Sequence, residues 1–458
     1  MGRCGLCDEN VTKGDDNMSK FKYVSCFSGT GGFEQALNQL GGECVMASEI
    51  DKYASKAYEA IYGGEHLHGD ITKINEADVP DHDLLTAGIP CQPFSVAGKR
   101  GGFEDTRGTM FFEVARILKE KQPRVALLEN VKGLISHDKG KTLDTIVKTL
   151  NDIGYRVDFE VLNSKFFGVP QNRERWFCVA VREDLIENEE WVNTKGSKVV
   201  PKGKRRIMGY EGIKTFNFDW PEQEEVTVKL IDVLEPVVDE KYYLPDEKVA
   251  ELVAKLDEQD TANTPKCIHN IYGGFKEDKP RLFDGESPTI RTSAGGGHLP
   301  SVLEKAEQAE QAEEVKGCST RSRNYRGQGE QLEIRKDDVG NTVTSVTKDS
   351  MVLKGNVEQF SEGEGVSCCL DANYWKGTAP SLVGKGRRTH IVEPEPKYRI
   401  RKLTPLECFR LQGFSDEVHQ TIVDAGISDS QRYKMAGNAV SVPVIKALGE
   451  RLLPILGS

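Results

Sequence analysis

The residues able to do covalent chemistry gather at the ends of apolar runs. Cys91 stands in Gly88-Ile89-Pro90-Cys91-Gln92-Pro93-Phe94-Ser95, directly after the apolar run His82 to Ala87. A thiol beside prolines at a strand end sits on a stiff loop, where an open α/β sheet places a nucleophile. The competing reading is a small buried thiol next to a turn proline. Glu129, in Glu129-Asn130-Val131, closes a second apolar run, Arg124 to Leu128, and is a candidate general acid. Arg173 and Arg175, two apart before a β-rich stretch, share one strand face and could reach one site.

These side chains need a scaffold, and the chain supplies the pattern of one. Phe21 to Phe27 alternates as a strand and enters Ser28-Gly29-Thr30-Gly31-Gly32-Phe33, then a helix with Phe33, Ala36, Leu37 and Leu40 on one face. Strand, glycine turn and helix make the nucleotide-binding entry of a doubly wound sheet. The spacing is not GxGxxG, and there is no phosphate-loop lysine. The strand Glu43 to Ser48 ends in Glu49, placed for a ribose diol or simply exposed at a strand end. Asp70 could accept from an adenine amine, with Ile71 against the ring. Such a set suits an adenosine without phosphate, hence S-adenosylmethionine rather than NAD or ATP. Val96 to Gly108, rich in Gly, Lys and Arg, reads as a lid. Thr109 to Lys121 and Leu143 to Leu150 read as helices, and Arg156 to Leu162 with Arg175 to Val181 as a strand pair.

Length and composition bound the reading. The 458 residues allow two or three domains, and 38% hydrophobic with 29% charged residues is the balance of a soluble globular chain. No apolar run reaches the length of a membrane span, and Met1 to Lys20 lacks a signal-peptide core, so a cytoplasmic location is expected. Eleven scattered cysteines suit reduced thiols. Cys4 and Cys7 are half of a zinc site at most, so no metal is expected and residues 1–19 read as a disordered leader. The net charge of -11 argues against indiscriminate adhesion to nucleic acid but leaves room for local basic surfaces. Lys195, Lys198, Lys202, Lys204, Arg205 and Arg206 fall within twelve residues with no acid between them; Arg321, Arg323 and Arg326, and Lys385, Arg387 and Arg388, form two more groups. Taken singly, each reads as a solvated loop.

After about residue 190 the α/β alternation stops. Three loosely similar stretches, from Ser287, Asn341 and Ala379, suggest β-hairpin units on a small domain, and Glu304 to Glu314 reads as an exposed spacer. Order returns at the Arg401 to Phe414 segment, read as a helix with a Thr cap, and in the final helix Val444 to Leu453. The expected division is a large domain over 20–190, a small recognition domain over 191–427, and a return to the large domain over 428–458.

In their order, FSGTGGF, the GD at 69, GIPCQPFS, ENV, QNRERWF, RKLTPLECFRLQGF and GNAV resemble the motifs of the bacterial and phage DNA (cytosine-5) methyltransferases, over Phe21 to Leu453. The resemblance implies a doubly wound, mixed-sheet S-adenosylmethionine-dependent fold with a mostly β recognition domain. It implies that Phe27, Gly29, Thr30 and Gly32 border the methyl donor, Glu49 holds its ribose, Asp70 and Ile71 its adenine, and Asn438 and Val440 close the pocket. Pro90 and Cys91 become the catalytic pair, with Glu129, Arg173 and Arg175 around a cytosine flipped out of the duplex. Many members carry Trp after the ribose-binding acid; Ile50 stands here, so adenine stacking should be weaker. Partners are double-stranded DNA and, as in restriction-modification systems, a cognate endonuclease; a monomer is expected. Gln92 and Ser95 are expected at the DNA, and readout in Gly273 to Arg281 and Arg291 to His298, through Arg281 on guanine and the backbone at Gly295 and Gly296. Arg321, Arg323, Arg387 and Arg388 would position phosphates or serve further recognition units. Two other readings compete: methyl transfer to cytosine in transfer RNA, against which the long variable region speaks, and a catalytically dead DNA-binding repressor, against which intact Cys91, Glu129 and Arg175 speak.

Overall fold

In the computed structural model the described residues are 20–90, 110–223, 227–253, 265–269, 280–290, 300–305, 315–321, 331–334, 350–354, 390–392 and 398–457. They form two units. The first comprises Met1–Val233, Glu286–Ala294 and Pro405–Ser458, and the second Leu234–Gly285 and Gly295–Thr404.

The first unit is built on a seven-stranded sheet in the order β3-β2-β1-β4-β5-β8-β6. Its strands are β1 (Phe21–Cys26), β2 (Gly42–Ser48), β3 (Leu67–His68), β4 (Leu84–Gly88), β5 (Val125–Val131), β6 (Tyr155–Asn163) and β8 (Glu174–Arg182). The first five in chain order are parallel; β8 runs antiparallel to both β5 and β6. β1 sits between β2 and β4, so the chain leaves it in both directions, and the crevice at this switch point receives the ends of β1, β2, β4 and β5. A short β7 (Gln171–Asn172) pairs with β11 (Ser287–Pro288). β4 and β5 are buried along nearly their whole length, and β5 is apolar from Val125 to Leu128 before it ends in Glu129 and Asn130. Helix α3 (Met110–Lys121) buries Phe111, Val114, Ala115, Ile117 and Leu118, and α4 (Lys141–Asp152) buries Leu143, Ile146, Val147 and Leu150. Asp51 caps α2 (Lys52–Tyr62), accepting from the backbone N–H of Tyr53 at 2.9 Å and of Ala54 at 3.1 Å.

The first unit runs past residue 190 to Val233, and the reason is packing on the edge strand β6. Trp191 is buried and its Nε1 donates to the Val157 carbonyl at 3.0 Å; Thr215 bridges Val157; and Lys204, expected in a solvated loop, lies buried 2.6 Å from the Asp158 carboxylate. Helix α5 (Val199–Met208) lies in this segment, with Gly203 over Ile135 and Phe159. Arg206 is taken up too, at 2.9 Å from Asp144.

The second unit contains α6 (Asp246–Val253) and a sheet ordered β10-β9-β12-β17, from β9 (Lys266–His269), β10 (Arg281–Asp284), β12 (Ser301–Lys305) and β17 (Tyr398–Lys402). Its small core is Val249, Leu252, Ile268, Leu303 and Ile400. A second sheet, β14-β13-β15-β16, joins β13 (Val315–Arg321), β14 (Gln331–Ile334), β15 (Ser350–Lys354) and β16 (His390–Val392). Glu304 belongs to β12, where its carboxylate lies 3.4 Å from the buried Arg401 guanidinium and accepts from Tyr243 at 2.7 Å. It is therefore part of the sheet; the spacer residues 306–314 lie outside the described ones.

Arg401 and Lys402 are in β17, so the helix expected over 401–414 is only α7 (Pro405–Arg410). It returns to the first unit with α8 (Asp416–Asp424), α9 (Asp429–Asn438) and α10 (Val442–Leu456). Gln412 Nε2 donates to the Ala436 carbonyl at 2.9 Å, and α10 buries Val444, Ile445, Leu448 and Leu452.

Candidate active site

The crevice at the switch point holds a cavity of about 370 Å³. Its floor is the glycine turn after β1. Phe27 adopts φ 58°, a left-handed backbone uncommon for a bulky residue and a mark of strain at a functional turn. Gly31 has φ 83°, and a Cβ there would meet the Tyr62 ring at 2.2 Å. A Cβ on Gly32 would lie 2.7 Å from Val440, so glycine lets α1 (Gly32–Leu37) close against the Asn438–Val440 segment.

Glu49 faces this turn from the end of β2. Its carboxylate accepts from the Gly29 N–H at 2.9 Å and from the Asp51 N–H at 2.7 Å. Those bonds fix its orientation and leave lone pairs on both oxygens for a diol. The Thr30 hydroxyl is buried and has no partner among the described residues. Ile50 is 72% exposed yet lines the cavity, an apolar surface open to a flat ring. Asp51 and Lys434 stand at the lining as well, their side chains 2.6 Å apart. Gly29, Asn438 and Val440 line the cavity too, whereas Gly32, expected beside them, is not among the lining residues. Asp70 and Ile71 are not among the lining residues. Asp70 Oδ1 caps a short turn, accepting from the Thr72 hydroxyl at 2.7 Å and its N–H at 3.0 Å, and Ile71 is packed in the core.

Adenosine chemistry thus fits what is present: a carboxylate for a diol, a partnerless hydroxyl and an exposed aliphatic face. Glu49→Ala is expected to weaken S-adenosylmethionine binding by about 1–3 kcal/mol, the cost of a polar ligand group left unpaired, as read by calorimetry. Ile50→Trp is expected to tighten the same binding by about 0.5–1.5 kcal/mol, because an aromatic ring can stack where Ile50 only packs.

On the other side of the cavity stands Glu129. β4 and β5 pair with Gly88 opposite Glu129, so its carboxyl lies beside the strand end that leads to Pro90 and Cys91. The Ile89 N–H donates to the Glu129 carbonyl at 3.1 Å, and Asn130 Nδ2 donates to the Ile89 carbonyl at 3.1 Å. Asn130 therefore holds the root of the Cys91 loop, a role the motif letters did not disclose. Pro90 lines the cavity; Cys91, Gln92 and Ser95 lie outside the described residues.

Glu129 is only 8% exposed. Burial pushes its carboxyl above the usual range, against the pull of Arg175 and Arg173. Arg175 Nε is 3.2 Å from Glu129 Oε1. Arg173 also lines the cavity but does something else. Its Nη1 and Nη2 each donate to the Gly437 carbonyl at 3.2 Å, and Nη2 donates to the Ala439 carbonyl at 2.7 Å. Burial and the neighbouring Arg175 pull it down to about 9, still above neutrality, so it remains a cation. The two arginines therefore play different parts. Arg175 meets the acid, whereas Arg173, just before β8, is tied to the 437–439 backbone that borders the cavity.

Of the residues expected at DNA, Arg281 is exposed on β10. Arg321 ends β13; Gly295, Gly296, Arg323, Arg387 and Arg388 lie outside the described residues, as do Cys4 and Cys7. Among the described residues no three His, Cys, Asp or Glu side chains are grouped to hold a metal, and no helix is long and apolar enough to cross a membrane.

The C-5 cytosine-specific DNA methylase model matches residues 21–453. The chain is 41% identical over 450 residues to the orphan methyltransferase M.SPRI of Bacillus phage SPR, covering 95% of this chain and 98% of that relative. It is 33% identical over 439 residues to the type II methyltransferase M1.ScrFI of Lactococcus lactis subsp. cremoris, covering 96% and 79% respectively. Among solved structures, the Dnmt2 methyltransferase of S. pombe shares the fold, with a TM-score of 0.51 at 16% identity, covering 95% of this chain and 98% of that one.

Proposed function

Since the chain belongs to the C-5 cytosine-specific DNA methylase family and is a DNA (cytosine-5)-methyltransferase, we propose that it transfers a methyl group from S-adenosylmethionine to C5 of a cytosine flipped out of duplex DNA, at a defined sequence. The observation that carries this reading is the placement of Glu129. A carboxyl held toward its acid form by burial faces the same cavity as Glu49 and the glycine turn.

C5 of cytosine is a weak nucleophile. Addition of the Cys91 thiolate at C6 makes C5 an enamine carbon able to attack an electrophilic methyl. S-adenosylmethionine supplies that methyl on its sulfonium. Glu129, protonated, donates to N3 and stabilises the charge that develops there as the thiolate adds. Arg175 orients Glu129 and presents a cation to the base. Asn130 holds the Ile89 carbonyl two residues before Cys91, while Glu49 and the Thr30 hydroxyl bind the adenosine. A base then removes the C5 proton, C5–C6 becomes a double bond again, and the thiolate leaves. Because the target must leave the stack, extrusion costs a few kcal/mol, which DNA contacts must offset.

The type II names among the relatives raise a partner endonuclease, whereas the phage relative is named an orphan; the solitary enzyme is the reading adopted for this chain. Bisulfite sequencing of a plasmid from cells expressing the protein tests the reaction. Protected cytosines confined to one or a few short sequences are expected. Complete conversion of every cytosine, with methyl transfer to RNA instead, would overturn it.

A further inference from the structure

We propose that the outward face of α5 is a second nucleic-acid contact of the first unit, a stripe that binds the phosphate backbone of duplex DNA beside the target site. This rests on the DNA methyltransferase reading above. Lys198, Lys202 and Arg205 fall three to four residues apart, and all three are exposed, as is Lys195 just before them. The opposite face of the helix buries Val200, Gly203, Lys204 and Ile207, which fixes the direction in which the stripe points. Lys195, Lys198 and Lys202 form no ion pair among the described residues. Arg205 donates to the carbonyls of Thr194 and Gly196, which orient its charge without cancelling it.

Exposed acids flank the stripe in sequence at Glu187, Glu189, Glu190 and Glu211, but among the described residues none forms an ion pair with it. Asp158 is engaged by the buried Lys204, and Asp144 accepts from Arg206 and from the Tyr210 hydroxyl. Glu160 feels the charge of Lys198, but burial dominates and holds its carboxyl above the usual range. Placement connects the stripe to the chemistry. α5 packs on the segment Lys132–Gly140, through Gly203 on Ile135 and Arg206 Nη2 donating to the Gly140 carbonyl at 3.1 Å. That segment begins directly after Val131, a wall of the cavity. Lys202 and Arg205 on α5, with Lys198 at its N-cap and Lys195 just before it, make a local run of exposed cations in a chain of net charge -11, which suits a polyanion. The contact carries no base readout, so it adds affinity to every sequence alike.

The test is the salt dependence of DNA binding by the full chain, with Lys198→Ala and Lys202→Ala combined. Neither side chain has an ion-pair partner among the described residues; Lys202 lies within α5, where alanine favours the helix, and Lys198 is its N-cap, whose side chain makes no capping hydrogen bond. The slope of log affinity against log salt should fall by about two, and affinity at about 0.1 M salt by on the order of tenfold or more, equally for target and non-target duplexes. S-adenosylmethionine binding should not change. A control pair, Lys22→Ala with Lys56→Ala, removes the same charge from exposed positions on β1 and α2 and should leave the slope alone. An unchanged slope in the α5 pair, or an equal fall in the control pair, overturns the proposal. Wild-type protein that fails to bind duplex DNA at all would instead refute the reading it rests on.

Discussion

Replacing Cys91 by serine is expected to lower methyl transfer by at least about a thousandfold while leaving DNA and S-adenosylmethionine affinities within about twofold. The hydroxyl resembles the thiol in size but is scarcely ionised near neutral pH, so attack at C6 is lost with little change in side-chain volume. The surroundings concentrate the effect on the chemical step. Glu129 is opposite Gly88, and Asn130 holds the Ile89 carbonyl, so the chain reaches Cys91 from a fixed root. Radiolabelled methyl transfer measures the loss, and gel-shift and calorimetric titrations measure the two affinities. Residual turnover near one tenth of wild type would remove Cys91 as the nucleophile.

Glu129→Gln is expected to lower turnover by about 10²–10⁴-fold, the range for a positioned general acid. The amide keeps the volume and the contact with Arg175 but has no acidic proton for N3. The variant should also alter the pH profile. Burial raises the Glu129 carboxyl, so its active, protonated form extends to higher pH than an ordinary carboxylate would allow. Wild-type turnover should fall as pH rises through that raised value, while formation of the Cys91 thiolate favours higher pH, giving a bell. In Glu129→Gln the fall on the alkaline side should vanish and the thiolate limb remain. A profile of unchanged shape would mean that Glu129 is not the titrating acid.

The chemistry was legible where residue type and strand period coincide. Glu49 and Glu129 are acids at the ends of apolar runs, and in a doubly wound sheet those ends converge; both line the cavity. The glycine turn was legible because few other functions need three glycines between a strand and a helix. Asp70 is less legible: an acid after a short connection is equally suited to capping the next turn, which its Oδ1 does, and it is not among the lining residues of the cavity. Arg173 and Arg175 both line the cavity, in keeping with two arginines on one face, but no periodicity tells a guanidinium beside a carboxylate from one held by the carbonyls of Ile290, Gly437 and Ala439. The Asp51–Lys434 pair links positions far apart in the chain, and nothing local to either residue announces it. The boundary at Val233 was obscured by composition: Lys204 lies in a run of basic residues that reads as solvent-exposed, whereas Asp158 draws it into the interior.

The central claim is that Cys91 attacks C6 while C5 takes the methyl. Duplex DNA carrying 5-fluorocytosine at the target, incubated with the full chain and S-adenosylmethionine, tests it most directly, because fluorine at C5 cannot leave as a proton does. The account predicts a denaturation-resistant protein–DNA adduct that depends on S-adenosylmethionine, with the cross-linked peptide containing Cys91. No adduct, or an adduct mapped to a different residue, would contradict it.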